Sequence, residues 1–214
     1  MNYDVIKVPR ANNLYSAIDG HVDIQLNILS KKNKTIIINK DINNDFKKLL
    51  DEKGIKYINS FSSLHEKYPN NVLLNAYITE NYLIHNLKYS DKELLNYCKN
   101  KKHINIKQGY SKCSILPIRE DAIITNDAGI HKALVKENFD VLLIPFGDIE
   151  LPGLNYGFIG GVGGMISDDC MAFFGSLEHY AFGTMVKEFL YKYDIKPLYL
   201  RNSKLFDRGS LLVL

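Results

Sequence analysis

Near its N-terminus the chain reads GHVDI, residues 20–24, with His21 and Asp23 two positions apart in an apolar setting. Alternation along a strand turns both side chains to one face. An imidazole titrates near neutrality, with an unperturbed pKa of about 6.5, so it can take and return a proton. A carboxylate on the same face can bind a cation. Two readings stand: a half-exposed strand with a polar face, or part of an active site. Internal repetition bears on the choice. DVIKVP, residues 4–9, matches DVLLIP, residues 140–145, and in that alignment GHVDI falls on YGFIG, residues 156–160. One repeat carries His21 and Asp23 where the other carries Gly157 and Ile159. The scaffold does not require the polar pair.

Other chemistry-bearing stretches point away from common alternatives. GFIGGVGGMI, residues 157–166, invites a dinucleotide reading, but a fingerprint begun at Gly161 and Gly163 meets Ile166 where its third glycine belongs. No Lys-Ser or Lys-Thr follows for a phosphate loop. These glycines, Gly160 and Gly161 among them, fit a close backbone approach or room for a substrate. In TNDAGIHKAL, Asn126 or Asp127 reads as a helix cap and His131 as a surface residue. His65, His85, His103 and His179 have no partner at ligand spacing, so neither a metal nor another cofactor is expected. Cys98, Cys113 and Cys170 are odd in number and lack metal or redox spacing, which fits a reduced, cytoplasmic setting.

Composition narrows the classes further. Apolar residues make up 46% and charged residues 24% of the 214, ordinary for a globular chain with a real core. The 27 Lys and Arg are scattered and the net charge is only +3, so a nucleic-acid partner is not expected. Apolar runs fall well short of the roughly 20 residues that span a bilayer, and MNYDVIKVPR lacks the pattern of a secretion signal. The expected partner is a small-molecule substrate or ligand; the oligomeric state stays open.

The elements that must position these groups recur. A short β-rich run, a capped amphipathic helix and another short strand appear four times, with second strands opening at Ile36, Tyr82, Ala122 and Met171. Phe46, Leu49 and Leu50 share a helical face that Gly54 ends. Ser90 and Glu93 form a capping-box signature. Ile130, Leu134 and Phe139 face a core. HVDIQLNIL, VLLNAYIT, KCSILPI and FIGGVGGMI supply a preceding strand to each copy. No linker divides the chain, so residues 1–214 read as one α/β domain of four ββαβ units. A strand-like start, YDVIKVP, and end, GSLLVL, could form a fifth unit split between the termini. Closing a ring this way would remove exposed sheet edges.

A five-bladed α/β-propeller of ββαβ repeats resembles the pentein fold of the guanidine-modifying, amidinotransferase-like superfamily. That resemblance implies a nucleophilic cysteine after a Gly-containing turn, matched by Cys113 in QGYSKCSILPI. It implies a His-x-Asp motif, matched by His21 and Asp23, and an acidic strand, matched by Asp207 in FDRGSLLVL. The chain order His21, Cys113, Asp207 differs from the familiar enzymes, but on a ring it can rotate without moving any group. Where the superfamily carries a guanidinium-gripping acid, this chain has Gly160 and Gly161.

The chemistry so implied is a Cys113–His21–Asp207 hydrolase or transferase acting on a small amidine, guanidine or similar C–N compound. Asp23 would bind a cationic substrate, and Asp19, which also suits a turn before Gly20, is a further candidate. Lys112 is set aside because a strand would turn it away from Cys113. Each residue has a plainer alternative: Cys113 as a buried hydrophobe, His21 as a polar plug, Asp207 as a turn cap. A non-catalytic pentein that binds a ligand or macromolecule is therefore the second reading. An open doubly wound α/β protein is the third, disfavoured by the repeat and the broken fingerprint.

Overall fold

The computed structural model describes residues 3–214; Met1 and Asn2, which open the stretch read for a leader, lie outside them. Four times the chain builds one unit: an antiparallel pair of strands, a helix, and a third strand parallel to the second. The first contains α1 (Val22–Gln25), β1 (Leu26–Ser30), β2 (Thr35–Ile38), α2 (Asn44–Glu52) and β3 (Lys56–Asn59). The second contains β4 (Tyr77–Ile78), β5 (Tyr82–His85), α3 (Lys92–Tyr97) and β6 (Lys102–Asn105). β7 (Ile115–Pro117), β8 (Ala122–Thr125), α4 (Ala128–Val135) and β9 (Asp140–Leu143) form the third. β10 (Gly163–Ser167), β11 (Cys170–Phe173), α5 (Gly183–Tyr191) and β12 (Lys196–Tyr199) form the fourth.

The second strand of each unit lies in the middle of its sheet and reads as a nearly continuous apolar run, as strands covered on both faces do. The starts of α2, α3 and α4 are fixed by side-chain caps. Asn43 accepts from Asp45 N at 2.6 Å, Asp91 from Glu93 N at 2.9 Å, and Asp127 from Ile130 N at 2.9 Å. The capping residue of α3 is thus Asp91 rather than Ser90, which bonds His85 instead. Phe46 and Leu50 of α2 pack on Ile36 and Ile38, and Ile130, Leu134 and Phe139 fill the third unit's core.

Two expectations are corrected. GHVDI is not a strand: His21 stands at the head of the single turn α1 without a side-chain capping bond, and β1 begins only at Leu26. Helical rotation of about 100° per residue then sends His21 and Asp23 in different directions. The fifth unit is not present as a sheet among the described residues. Segments 3–10 and 206–214 carry one isolated bridge, Glu150 with Phe206, and no strand. Gly209 and Ser210 both take φ of 75°, which bends the terminal segment, so its amides serve individual carbonyls: Ser210 N reaches Gly161 O and Leu211 N reaches Gly163 O. Ile6, Val8 and Leu212 still pack against the first unit's core.

β1 lies against β4, and β7 against β10. Each first strand is entered through a short turn, and these entry turns meet at the centre, where they position the site.

Candidate active site

Cys113 arrives on a heavily tied turn. His85 is fully buried, and its Nε2 donates to Gly109 O at 3.0 Å while its Nδ1 sits 2.7 Å from Ser90 Oγ. Burial lowers the His85 pKa to about 4, so it works as a neutral tie. Asn75, in the second unit's entry turn, accepts from Cys113 N at 3.2 Å and donates to both Asp23 O at 2.7 Å and Cys113 Sγ at 3.1 Å. The thiol donates to Asp23 Oδ2 at 3.3 Å. Ser210 Oγ accepts from Lys112 Nζ at 2.7 Å, and its one proton is shared between that same Asp23 oxygen at 3.0 Å and Gly160 O at 2.5 Å. Burial holds the Cys113 thiol well above its ordinary pKa, and the Asp23 and Asp207 carboxylates push the same way, against the Asn75 hydrogen bond. Burial lowers the Lys112 pKa, against the nearby Asp23, Cys113 and Asp207.

Asp207 is anchored by Phe158 N at 2.8 Å and Gly209 N at 2.9 Å. Its Oδ1 lies 3.8 Å from His21 Nδ1, within ion-pair range and beyond a hydrogen bond. Burial raises the Asp207 carboxyl above its usual range; His21 opposes this and Asp23 adds to it. Gly209 permits the approach, because a Cβ there would stand 2.4 Å from His21 Cβ. Cys113, His21 and Asp207 all line one cavity of about 300 Å³. A second groove of about 400 Å³ shares Leu151, Leu154 and Asn155 with it but contains none of the candidate residues.

The other candidates lie elsewhere. Asp23 sits behind the thiol, and it does not line the cavity. Asp19 faces Arg10 at 3.7 Å and shapes the preceding loop, its carbonyl accepting from Ala11 N. Gly160 and Gly161 are packing positions: a Cβ on Gly160 would stand 2.2 Å from Lys112 O, and one on Gly161 1.9 Å from Asp207 Oδ1. An acid at Gly161 would displace Asp207, so the absent guanidinium-gripping carboxylate is sterically explained. Sequence reading missed Asn75, Lys112 and Ser210. Lys112 was set aside on strand alternation, yet residues 111–114 form turns and β7 starts at Ile115. Aligning the units would have marked Asn75, which precedes its first strand much as Asp23 and Cys113 precede theirs. Among the described residues, no group of three His, Cys, Asp or Glu side chains is arranged to hold a metal ion.

Residues 1–212 match the Family of unknown function DUF6873. The chain belongs to that family. No curated protein matches this DUF6873 chain. Among solved structures it is similar to SxtG, an amidinotransferase from Microseira wollei in the saxitoxin biosynthetic pathway. That likeness has a TM-score of 0.52 at 8% identity, over 88% of this chain and 63% of the other. The inosamine-phosphate amidinotransferase StrB1 from Streptomyces griseus aligns at 0.49 and 16% identity, over 82% and 61%. An agmatine deiminase from C. jejuni aligns at 0.42 and 14%, over 78% and 58%. The DUF6873 chain therefore spans under two thirds of the length of these proteins. At such identity the likeness to SxtG is one of fold alone.

Proposed function

We propose that this DUF6873 protein is a cysteine-dependent hydrolase or transferase of small amidine- or guanidine-type C–N compounds. The observation that carries this reading is the placement of Cys113, His21 and Asp207 around one cavity. A cation entering beside the sulfur favours the thiolate, whose proton passes to Asp23 Oδ2 along the existing hydrogen bond. The sulfur attacks the amidinium carbon. The C–N bond to the leaving amine breaks as His21 gives that nitrogen a proton, its imidazolium steadied by Asp207. Water, or an acceptor amine in a transferase, gives its proton to His21, attacks the S-amidino carbon and releases the thiolate, which takes its proton back from Asp23 as the product leaves. Asp23 on this reading manages the thiol proton instead of gripping substrate. Segments 3–10 and 206–214 fill the fifth place of the propeller as its split unit, and the last of them carries Asp207.

The partner on this reading is a small molecule rather than a nucleic acid or a membrane; no helix among the described residues is long and apolar enough to cross one. Three free thiols suit a reduced cytoplasmic setting. A haloacetamidine tests the nucleophile. Cys113 should be alkylated ahead of the more exposed Cys170, and faster as pH rises. Labelling of Cys170 with Cys113 untouched would instead favour a non-catalytic binder. That second reading has its own support: the thiol is only 3% exposed and its burial opposes ionisation.

A further inference from the structure

The cavity around Cys113 combines two features that together define an occupant. Its negative groups are Asp207, which lines the wall, and Asp23, which accepts from the Cys113 thiol at 3.3 Å. Apart from Cys113, His21 and Asn155, the rest is aromatic and aliphatic. Tyr15, Tyr110, Tyr156 and Phe158 line it; Tyr110 stacks on Phe158 at 5.9 Å and 24°, and Tyr156 meets Phe158 edge-on at 6.0 Å. Such faces attract a cation and flat apolar groups alike.

Among the described lining residues none is Arg or Lys. Of the cations in the surrounding segments, Lys112 bonds Ser210 at 2.7 Å, Lys204 bonds Asp148 at 2.7 Å across the neighbouring groove, Arg10 lies opposite Asp19 at 3.7 Å, and Arg208 lies over the Phe206 ring at 4.5 Å. A carboxylate carried into this cavity would be desolvated beside Asp207, with only the His21 imidazole, which already faces Asp207 at 3.8 Å, to receive it, a costly burial. About 300 Å³ is at the small end of ligand cavities.

We infer that the occupant is a small cation with an amidine or guanidine head on an aromatic or branched apolar body, and without a carboxylate. This rests on the cavity being the site proposed above, and it adds the chemistry of the substrate's other end. It also excludes free amino acids such as L-arginine.

Calorimetric titration of the intact protein with benzamidine, phenylguanidine and L-arginine tests it. Benzamidine or phenylguanidine should bind at least about tenfold tighter than L-arginine, the scale of a desolvated cation–aromatic contact. Tyr156 is 45% exposed, so its replacement spares the core. Tyr156→Leu should weaken the aromatic cations by several-fold, and Tyr156→Phe should retain them. L-arginine binding as tightly as benzamidine, no binding of either aromatic cation, or a Tyr156→Leu variant with unchanged affinity would each overturn the inference. Binding is read without turnover, so the two proposals fail separately. An inert Cys113 with intact benzamidine binding ends the nucleophile reading alone; a reactive Cys113 with preferred L-arginine ends this one alone.

Discussion

At the scale of single residues, the Cys113 sulfur lies between groups that pull its proton in opposite directions. Asn75 donates to the sulfur and favours the thiolate, while Asp23 accepts from the thiol and, with Asp207 and burial, favours the neutral form. The resting protein therefore holds a thiol, and ionisation awaits a positive charge. Because both the charge and the hydrogen bond of Asp23 raise the thiol pKa, Asp23→Asn should shift it downward. Alkylation of Cys113 by iodoacetamide, followed against pH, should then rise at lower pH than in the unmodified protein; superimposable profiles would show that Asp23 does not control the thiol. Gly160 and Gly161 act at this scale too, by leaving space. Their role was half legible: glycine runs signal close backbone approach, but only the fold tells which backbone and which carboxylate come near.

At the scale of elements, the entry turns do the positioning, and His85 is the tie beneath the one that carries Cys113. Its folded pKa of about 4 lies below the ordinary 6.5, so the unfolded chain binds more protons in that interval. Stability from this group is present above pH 6.5 and is lost as the pH falls through about 4, at most about 3 kcal/mol. Urea unfolding at pH 7 and at pH 4.5 should show part of this loss, and His85→Gln should flatten it; parallel losses in both proteins would refute the assignment. The helices were readable in advance because caps and helical spacing are local signals: Asp127 caps α4, and Phe46 and Leu50 are buried as their spacing implied. GHVDI misled because five residues fit either a strand or one helical turn. What decided was the contact of Asp23 N with Gly209 O, nearly the whole chain away.

At the scale of the molecule, Ser210 joins three distant stretches: Asp23 before β1, Lys112 before β7, and the terminal segment itself. Lys112 and Asp23 are buried charges that meet through its hydroxyl. Removing that hydroxyl leaves both short of a partner, a loss of about 1–3 kcal/mol. Ser210→Ala should therefore lower the urea midpoint without changing the slope of the transition. An unchanged midpoint would mean that the two charges find each other without the serine. Through Gly209 O to Asp23 N, and Ser210 N and Leu211 N to Gly161 O and Gly163 O, the terminal segment also holds the first and fourth units together by single bonds, where a strand ladder was anticipated.

The sequence by itself determined the repeating unit, its helix caps and its apolar central strands, because each depends on residues a few positions apart. It also made His21 and Asp23 conspicuous, since the aligned repeat manages without them. Only the tertiary structure decided that His21 faces Asp207 while Asp23 turns beneath the sulfur, and that Asn75, Lys112 and Ser210 complete the cluster. Those meetings depend on how the entry turns of separate units converge at the centre, and side chains so far apart in the chain leave no periodic trace of having met.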